Sequence, residues 1–173
     1  MPVLPILLLL AANQAKAAAK PAEGVNPSLW LYDGTWQVTR SNGGKAGAKP
    51  DIMVNQCGQI GRYFACQQTV NGKVGGLLLI IPAEAPNHYY TQTVMPEGRA
   101  TGRDDLEISG DRWTFSSRRL DNGKAFYYRT VNTFSGKNKI HFEQAESTNG
   151  TDWTVKNSGD EQRVGAATPG TRR

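Results

Sequence analysis

Cysteine and histidine are scarce in this sequence, two of each among 173 residues. Two cysteines are too few for a disulfide scaffold, and two histidines argue against a multi-histidine metal site. The longest apolar run is too short to cross a bilayer as a helix. Phosphate-binding glycine loops, nucleophile elbows and zinc-protease motifs are all missing. Neither sign of charge dominates: 20 Lys and Arg against 15 Asp and Glu leave +5, with a pI near 9.3. Disorder is also excluded, because 38% of the residues are hydrophobic. What is plentiful is glycine, with 19 in 173, above the ~7% average. That excess favours a turn-rich all-β chain of one domain, long enough to bury a core without metal.

The ends of the chain differ from its middle. Val3 to Ala12 is apolar and of the size of a signal-peptide core, and Ala15-Lys16-Ala17 has the form of a cleavage site. The reading is a signal peptide over 1–17, a leader over 18–28, one domain over 29–164 and a disordered tail over 165–173. The signal peptide departs from the usual pattern in lacking an early Lys or Arg, so an uncleaved anchor or a misplaced start is the alternative. The expected location is exported, periplasmic or secreted.

Within the domain the punctuation is regular. Asn-Gly pairs stand at Asn42, Asn71, Asn122 and Asn149, and Ser-Gly pairs at Ser109 and Ser135. Asn-Gly suits the tight turn that joins two antiparallel strands. The runs between turns are short and rich in Thr, Tyr, Val, Phe and Trp, and no helical repeat is sustained. Ten strands are expected, at about 30–40, 51–57, 62–71, 73–81, 88–95, 99–108, 111–119, 124–134, 137–147 and 151–157. A meander of that length closes to remove its exposed edges, so the fold class is a single closed antiparallel up-and-down β-barrel of 8–10 strands, ten favoured.

Register arguments put one set of side chains inside. Two-residue turns at Ser109-Gly110, Asn122-Gly123 and Asn149-Gly150, with a three-residue loop at Ser135, set Leu106 opposite Trp113, Ser117 opposite Tyr128, Phe142 opposite Thr130 and Glu146 opposite Trp153. Leu106, Ile108, Trp113, Phe115, Phe126, Tyr128, Ile140, Phe142, Trp153 and Val155 then share the inner face. Asp105, Glu107, Arg112, Arg118, Arg129, His141, Glu143 and Lys156 share the outer one. A turn at Gly61-Arg62 brings Cys57 opposite Cys66, and the expectation is a structural disulfide between them.

The site follows from these faces. Inward Trp113, Phe115, Phe126, Tyr128 and Phe142 form an apolar wall, with Gln144 as an orienting group. Arg119 and Glu146 share the inner parity towards one end, where they would pair or hold a polar group of a ligand. His141, a candidate haem ligand or base, falls outside beside Glu143, and Asp104-Asp105 with Glu107 reads as a charged outer face. The Asn149-Gly150-Thr151 sequon is explained by its turn. Arginines at Arg99, Arg103, Arg112, Arg118, Arg119 and Arg129 lack aromatics on their own face, so no nucleic-acid partner is expected. Charged outward residues equally disfavour a membrane-spanning barrel.

Gly34-Thr35-Trp36, opening the first long strand, resembles the Gly-x-Trp signature of lipocalin-type barrels. The stretch from Asn149 to Thr154 is similar to the last hairpin of an uncharacterised family of exported bacterial lipocalin-like proteins. The resemblance covers about Trp30 to Val164. It implies that Trp36 packs into one end of the barrel and that small hydrophobic molecules are carried inside. The leading expectation is therefore a non-enzymatic binding protein for a small, mostly apolar ligand, with no cofactor. The alternative is an envelope protein-binding module whose barrel is filled by its own side chains. An isomerase using Tyr128 and Arg119 is the third reading.

Overall fold

The computed structural model describes residues 26–41 and 49–166. The expected signal peptide, most of the leader, the Asn42-Gly43 turn and the tail beyond 166 lie outside the described residues. A short 3-10 helix, Pro27–Tyr32, precedes ten strands: β1 (Gly34–Arg40), β2 (Asp51–Ile60), β3 (Tyr63–Val70), β4 (Lys73–Pro82), β5 (His88–Val94), β6 (Asp104–Ser109), β7 (Arg112–Asp121), β8 (Lys124–Ser135), β9 (Lys139–Ser147) and β10 (Thr154–Gly165). Each strand pairs antiparallel with the next, and β10 returns to β1 to close the barrel. The single closed ten-strand architecture is as expected, and it is compatible with a lipocalin-like fold.

Turn chemistry explains the regularity. Asn71 and Asn122 both hold positive φ, 51° and 48°, followed by Gly72 and Gly123 at 77° and 78°. That is the pair of left-handed residues a type I′ hairpin turn needs. The Asn122-Gly123 turn sets Phe115 opposite Thr130 and Ser117 opposite Tyr128, as the sequence implied. Cys57 faces Cys66, and the two form a disulfide.

Two other turns sit one residue later than expected, and the slip moves each register by two. The loop between β6 and β7 is Gly110-Asp111, so Leu106 faces Phe115 and Ile108 faces Trp113. The loop between β8 and β9 is Gly136 to Asn138, so Phe142 faces Asn132. A shift of two leaves the inside inside, and the inner assignment survives for both hairpins.

The last hairpin is a correction. Ser147 Oγ accepts from the backbone N–H groups of Asn149 and Gly150, and Asn149 Oδ1 accepts from those of Thr151 and Asp152. These bonds spread the turn over 148–153, so Glu146 faces Thr154, not Trp153. A bulge between Val155 and Asn157 then shifts the register again. Val155 is 43% exposed on the outside. Trp153 is also outside, with the Arg129 guanidinium 4.3 Å above its ring. Two more outward pairs, Arg103 over Tyr90 and Arg118 over Tyr127, follow the same pattern. The expectation that aromatics leave the arginine face is therefore overturned: alternation along β5 and β8 sends Tyr90 and Tyr127 outward.

The core is concentrated at one end. Trp36, Trp113 and Phe64 are fully buried there with Leu29, Ile140 and Phe134, each contributing about 1.5–3 kcal/mol by leaving water. The 3-10 helix lies across this end, with Tyr32 stacked on Trp113 at 5.6 Å and Trp30 edge-on to Phe64 at 5.0 Å. Arg163 of β10 fastens the helix. Its Nη2 donates to the Leu31 carbonyl at 2.7 Å, its Nη1 to the Asp33 carbonyl and its Nε to the Lys137 carbonyl at 2.8 Å. The guanidinium also lies 4.2 Å over the Trp36 ring. Trp36 thus packs into the sealed end, where the resemblance placed it.

Candidate functional site

Above that sealed floor the inner wall becomes smaller and more polar, and the barrel is hollow. The hollow has a volume of about 360 Å³, within the range of small-molecule sites. Its apolar wall is Val38, Met53, Val70, Leu78, Phe115 and Phe142. Thr91, Thr93 and Thr130 carry short side chains that leave the space open, and Tyr32 and Asn132 stand at its base. Asn132 Nδ2 donates to the Tyr32 hydroxyl at 3.3 Å. Burial pushes the Tyr32 hydroxyl well above the usual phenol range, and the Glu161 charge adds to the rise.

Among the described residues four charged side chains line the hollow: Arg40, Asp51, Asp104 and Glu161. Three of these have an opposite charge close by. Arg40 Nε lies 3.6 Å from Asp51 Oδ2, and Asp104 Oδ1 lies 3.5 Å from Arg119 Nη2. Desolvation raises the Asp104 carboxyl, and Arg119 opposes that rise. Glu161 is different. It faces Val38 on one side and Ile140 on the other, is only 8% exposed, and its Oε2 has no hydrogen-bond partner among the described residues. Burial lifts its carboxyl to about 7, with Arg40 pulling the other way.

The residues expected from sequence divide into three groups. Phe115, Phe142 and Gln144 line the main hollow. Arg119 and Tyr128 line a second hollow of about 290 Å³ beside it, which shares Asp104, Phe115 and Thr130 with the first. Trp36 and Trp113 lie beneath the hollow in the sealed end and do not line it. Phe126 faces Arg119 across the β7–β8 pair, near the mouth. Arg119 and Glu146 do not pair with each other: Arg119 takes Asp104, and Glu146 lies 3.9 Å from Lys156. Gln144 Oε1 accepts from Asn157 Nδ2 at 2.9 Å.

Sequence reasoning missed Tyr32, Arg40, Asp51, Asp104 and Glu161. Asp104 was readable, since sending Asp105 and Glu107 outward sends Asp104 inward. Glu161 was not, because Ser158-Gly159 looks like the end of a strand. The strand continues through Gly159 because β1 and Phe142 close in on it. A Cβ there would collide with the Thr39 carbonyl oxygen and lie 2.8 Å from the Phe142 ring.

The hollow offers a small molecule an apolar wall with a few polar and charged groups. His141 sits outside, its Nδ1 2.9 Å from Asp160 Oδ1, as its register implied. Among the described residues no group of three His, Cys, Asp or Glu side chains is placed to hold a metal ion. No helix of the described residues is long and apolar enough to cross a membrane. No family model matches the chain, and no curated protein is detectably similar to it.

Proposed function

We propose that this chain is an exported carrier of the lipocalin-like type, holding one small, mostly apolar ligand in the open half of its barrel. The observation that carries the reading is the contrast between the two ends. One is packed with fully buried aromatics, and the other holds a hollow of about 360 Å³ walled by apolar side chains with a few polar groups. A barrel serving only as a scaffold for its outer surface would gain stability by filling that space. The Cys57–Cys66 disulfide supports export, since such bonds persist in oxidising compartments. Exposed charge on the outer face, at Arg112, Arg118 and Glu143, favours water over lipid around the barrel.

The test is titration of the protein with an environment-sensitive apolar dye. Saturable binding at one site per chain is expected. Thr130→Phe, which fills the hollow from β8, should weaken it at least tenfold while the fold persists. A folded protein that binds neither the dye nor any of a broad panel of apolar compounds would leave the surface-module reading in its place.

A further inference from the structure

The charges of the hollow do not balance, and the imbalance has a location. Among the described residues three carboxylates line it against one guanidinium. Arg40 is already engaged by Asp51, and Arg119 at the rim by Asp104. Glu161, more buried than any of these four side chains, is left without a hydrogen-bond partner on Oε2 among the described residues. A buried carboxylate oxygen without a hydrogen-bond partner is costly, and natural proteins retain one where something else satisfies it. The neighbouring polar groups do not fill that role. The Asn132 amide donates to the Tyr32 hydroxyl, and Gln68 Nε2 donates to Asn55 Oδ1.

We infer that the ligand is an organic amine whose ammonium group docks on the Glu161 carboxylate while its hydrocarbon body lies against Leu78, Phe115 and Phe142. The inference rests on the carrier reading and names the class of molecule carried. An ammonium supplies several N–H donors and the missing positive charge at one point. A carboxylate ligand, such as a fatty acid anion, would instead meet Glu161 and Asp104 with like charge. The hollow of about 360 Å³ is of small-molecule size, so the amine is small.

Binding should follow the charge of Glu161, which titrates near neutrality. The groups facing it are Arg40 from β1, Asp51 from β2, Asp104 from β6 and Tyr32 from the 3-10 helix. Arg163 lies two residues away on its own strand at the sealed end. His141 of β9 is outside, bound to Asp160. An alkylammonium keeps its proton well above pH 8, so the carboxyl is the group that changes. Lowering the pH should protonate Glu161 and release the amine.

Calorimetric titration with n-octylamine, 1-octanol and octanoate tests this on one hydrocarbon chain with three head groups. At pH 8, n-octylamine is expected to bind one per chain, at least tenfold tighter than 1-octanol and tighter still than octanoate. Its affinity should fall at least tenfold between pH 8 and pH 5.5. Glu161→Gln should remove both the tenfold advantage over 1-octanol and the pH dependence. The wild-type comparison of head groups decides the matter even if the variant fails to fold. Octanol or octanoate binding as tightly as the amine overturns the amine assignment and leaves the carrier standing. Failure of all three to bind folded protein that still takes up the apolar dye overturns the amine assignment alone, and failure of the dye and the apolar panel as well overturns both.

Discussion

Glu161 and Arg163 are two residues apart on one strand, the first buried and the second half-buried, and their polar groups fare in opposite ways. Arg163 has a carbonyl acceptor for each of its three nitrogens and an indole beneath its plane. Burial lowers its affinity for the proton, and nearby Asp33 works against that loss. A lysine in its place keeps the charge but cannot span three carbonyls or stack on Trp36. Arg163→Lys should therefore cost about 1–3 kcal/mol in urea unfolding; a smaller loss would mean that the fastening of the helix is weak. Glu161 has the reverse problem. Its carboxyl stands at about 7 when folded, against 4.5 as the ordinary value. Between those values the folded chain binds more protons than the unfolded one. Stability therefore falls as pH rises through that window and levels off above it. The whole change is at most a few kcal/mol. Glu161→Gln should be more stable than wild type at pH 8, and the advantage should shrink towards pH 4. Parallel urea curves at the two pH values measure it, and an unchanged pH slope would show that the carboxyl is not held as described.

At the level of strands and hairpins, legibility tracked the turn. Where Asn-Gly sits in a two-residue hairpin, as at Asn122, the register was readable residue by residue. Where Ser-Gly marks the loop, the turn fell one residue later, which preserved the faces but not the partners. Asn149 defeated the reading because its side chain caps four backbone or side-chain groups and widens the loop. Trp153 and Val155 therefore changed sides, and the strand that carries Glu161 and Arg163 was cut short. Gly159 is the residue that lets this strand continue, because β1 and Phe142 press against its bare Cα. Gly159→Ala is expected to cost about 1–3 kcal/mol, since the Thr39 carbonyl is backbone and cannot turn aside. Retention of wild-type stability would contradict that contact. The Cys57–Cys66 bridge closes a loop only nine residues apart in sequence. Chain entropy puts its contribution at about 2–3 kcal/mol. Cys57→Ala with Cys66→Ala should lower the unfolding midpoint accordingly while near-ultraviolet dichroism stays native. Native protein should also resist alkylation until a reductant is added.

For the molecule as a whole, the closed barrel was legible because four hairpins were read onto one apolar face, and three of them hold. The unequal filling of its two ends was not. Alternation says which side chains point in, but the space left between them depends on strand tilt and on which sizes meet across the ring. The Arg40, Asp51 and Asp104 wall of the mouth joins the neighbouring strands β1 and β2 to the distant β6, and no local pattern links that third strand to the other two. Ring order and chain order coincide in this barrel, with each strand beside its predecessor, and only β1 with β10 joins distant parts of the chain. Nine of the ten seams are therefore hairpins or short connections of low loop-closure entropy. The tenth waits on the rest, and the Arg163–Trp36 contact forms only with it. Refolding followed by tryptophan emission should accordingly lag behind strand formation followed by far-ultraviolet dichroism. The same geometry makes the origin of the chain arbitrary. Thr35 lies opposite Gly165, so a short linker can join the two outer strands, and the exposed Asn122-Gly123 turn can supply new ends. Such a circular permutant should rebuild the barrel with its hollow intact, while its late-closing seam moves to β7 and β8.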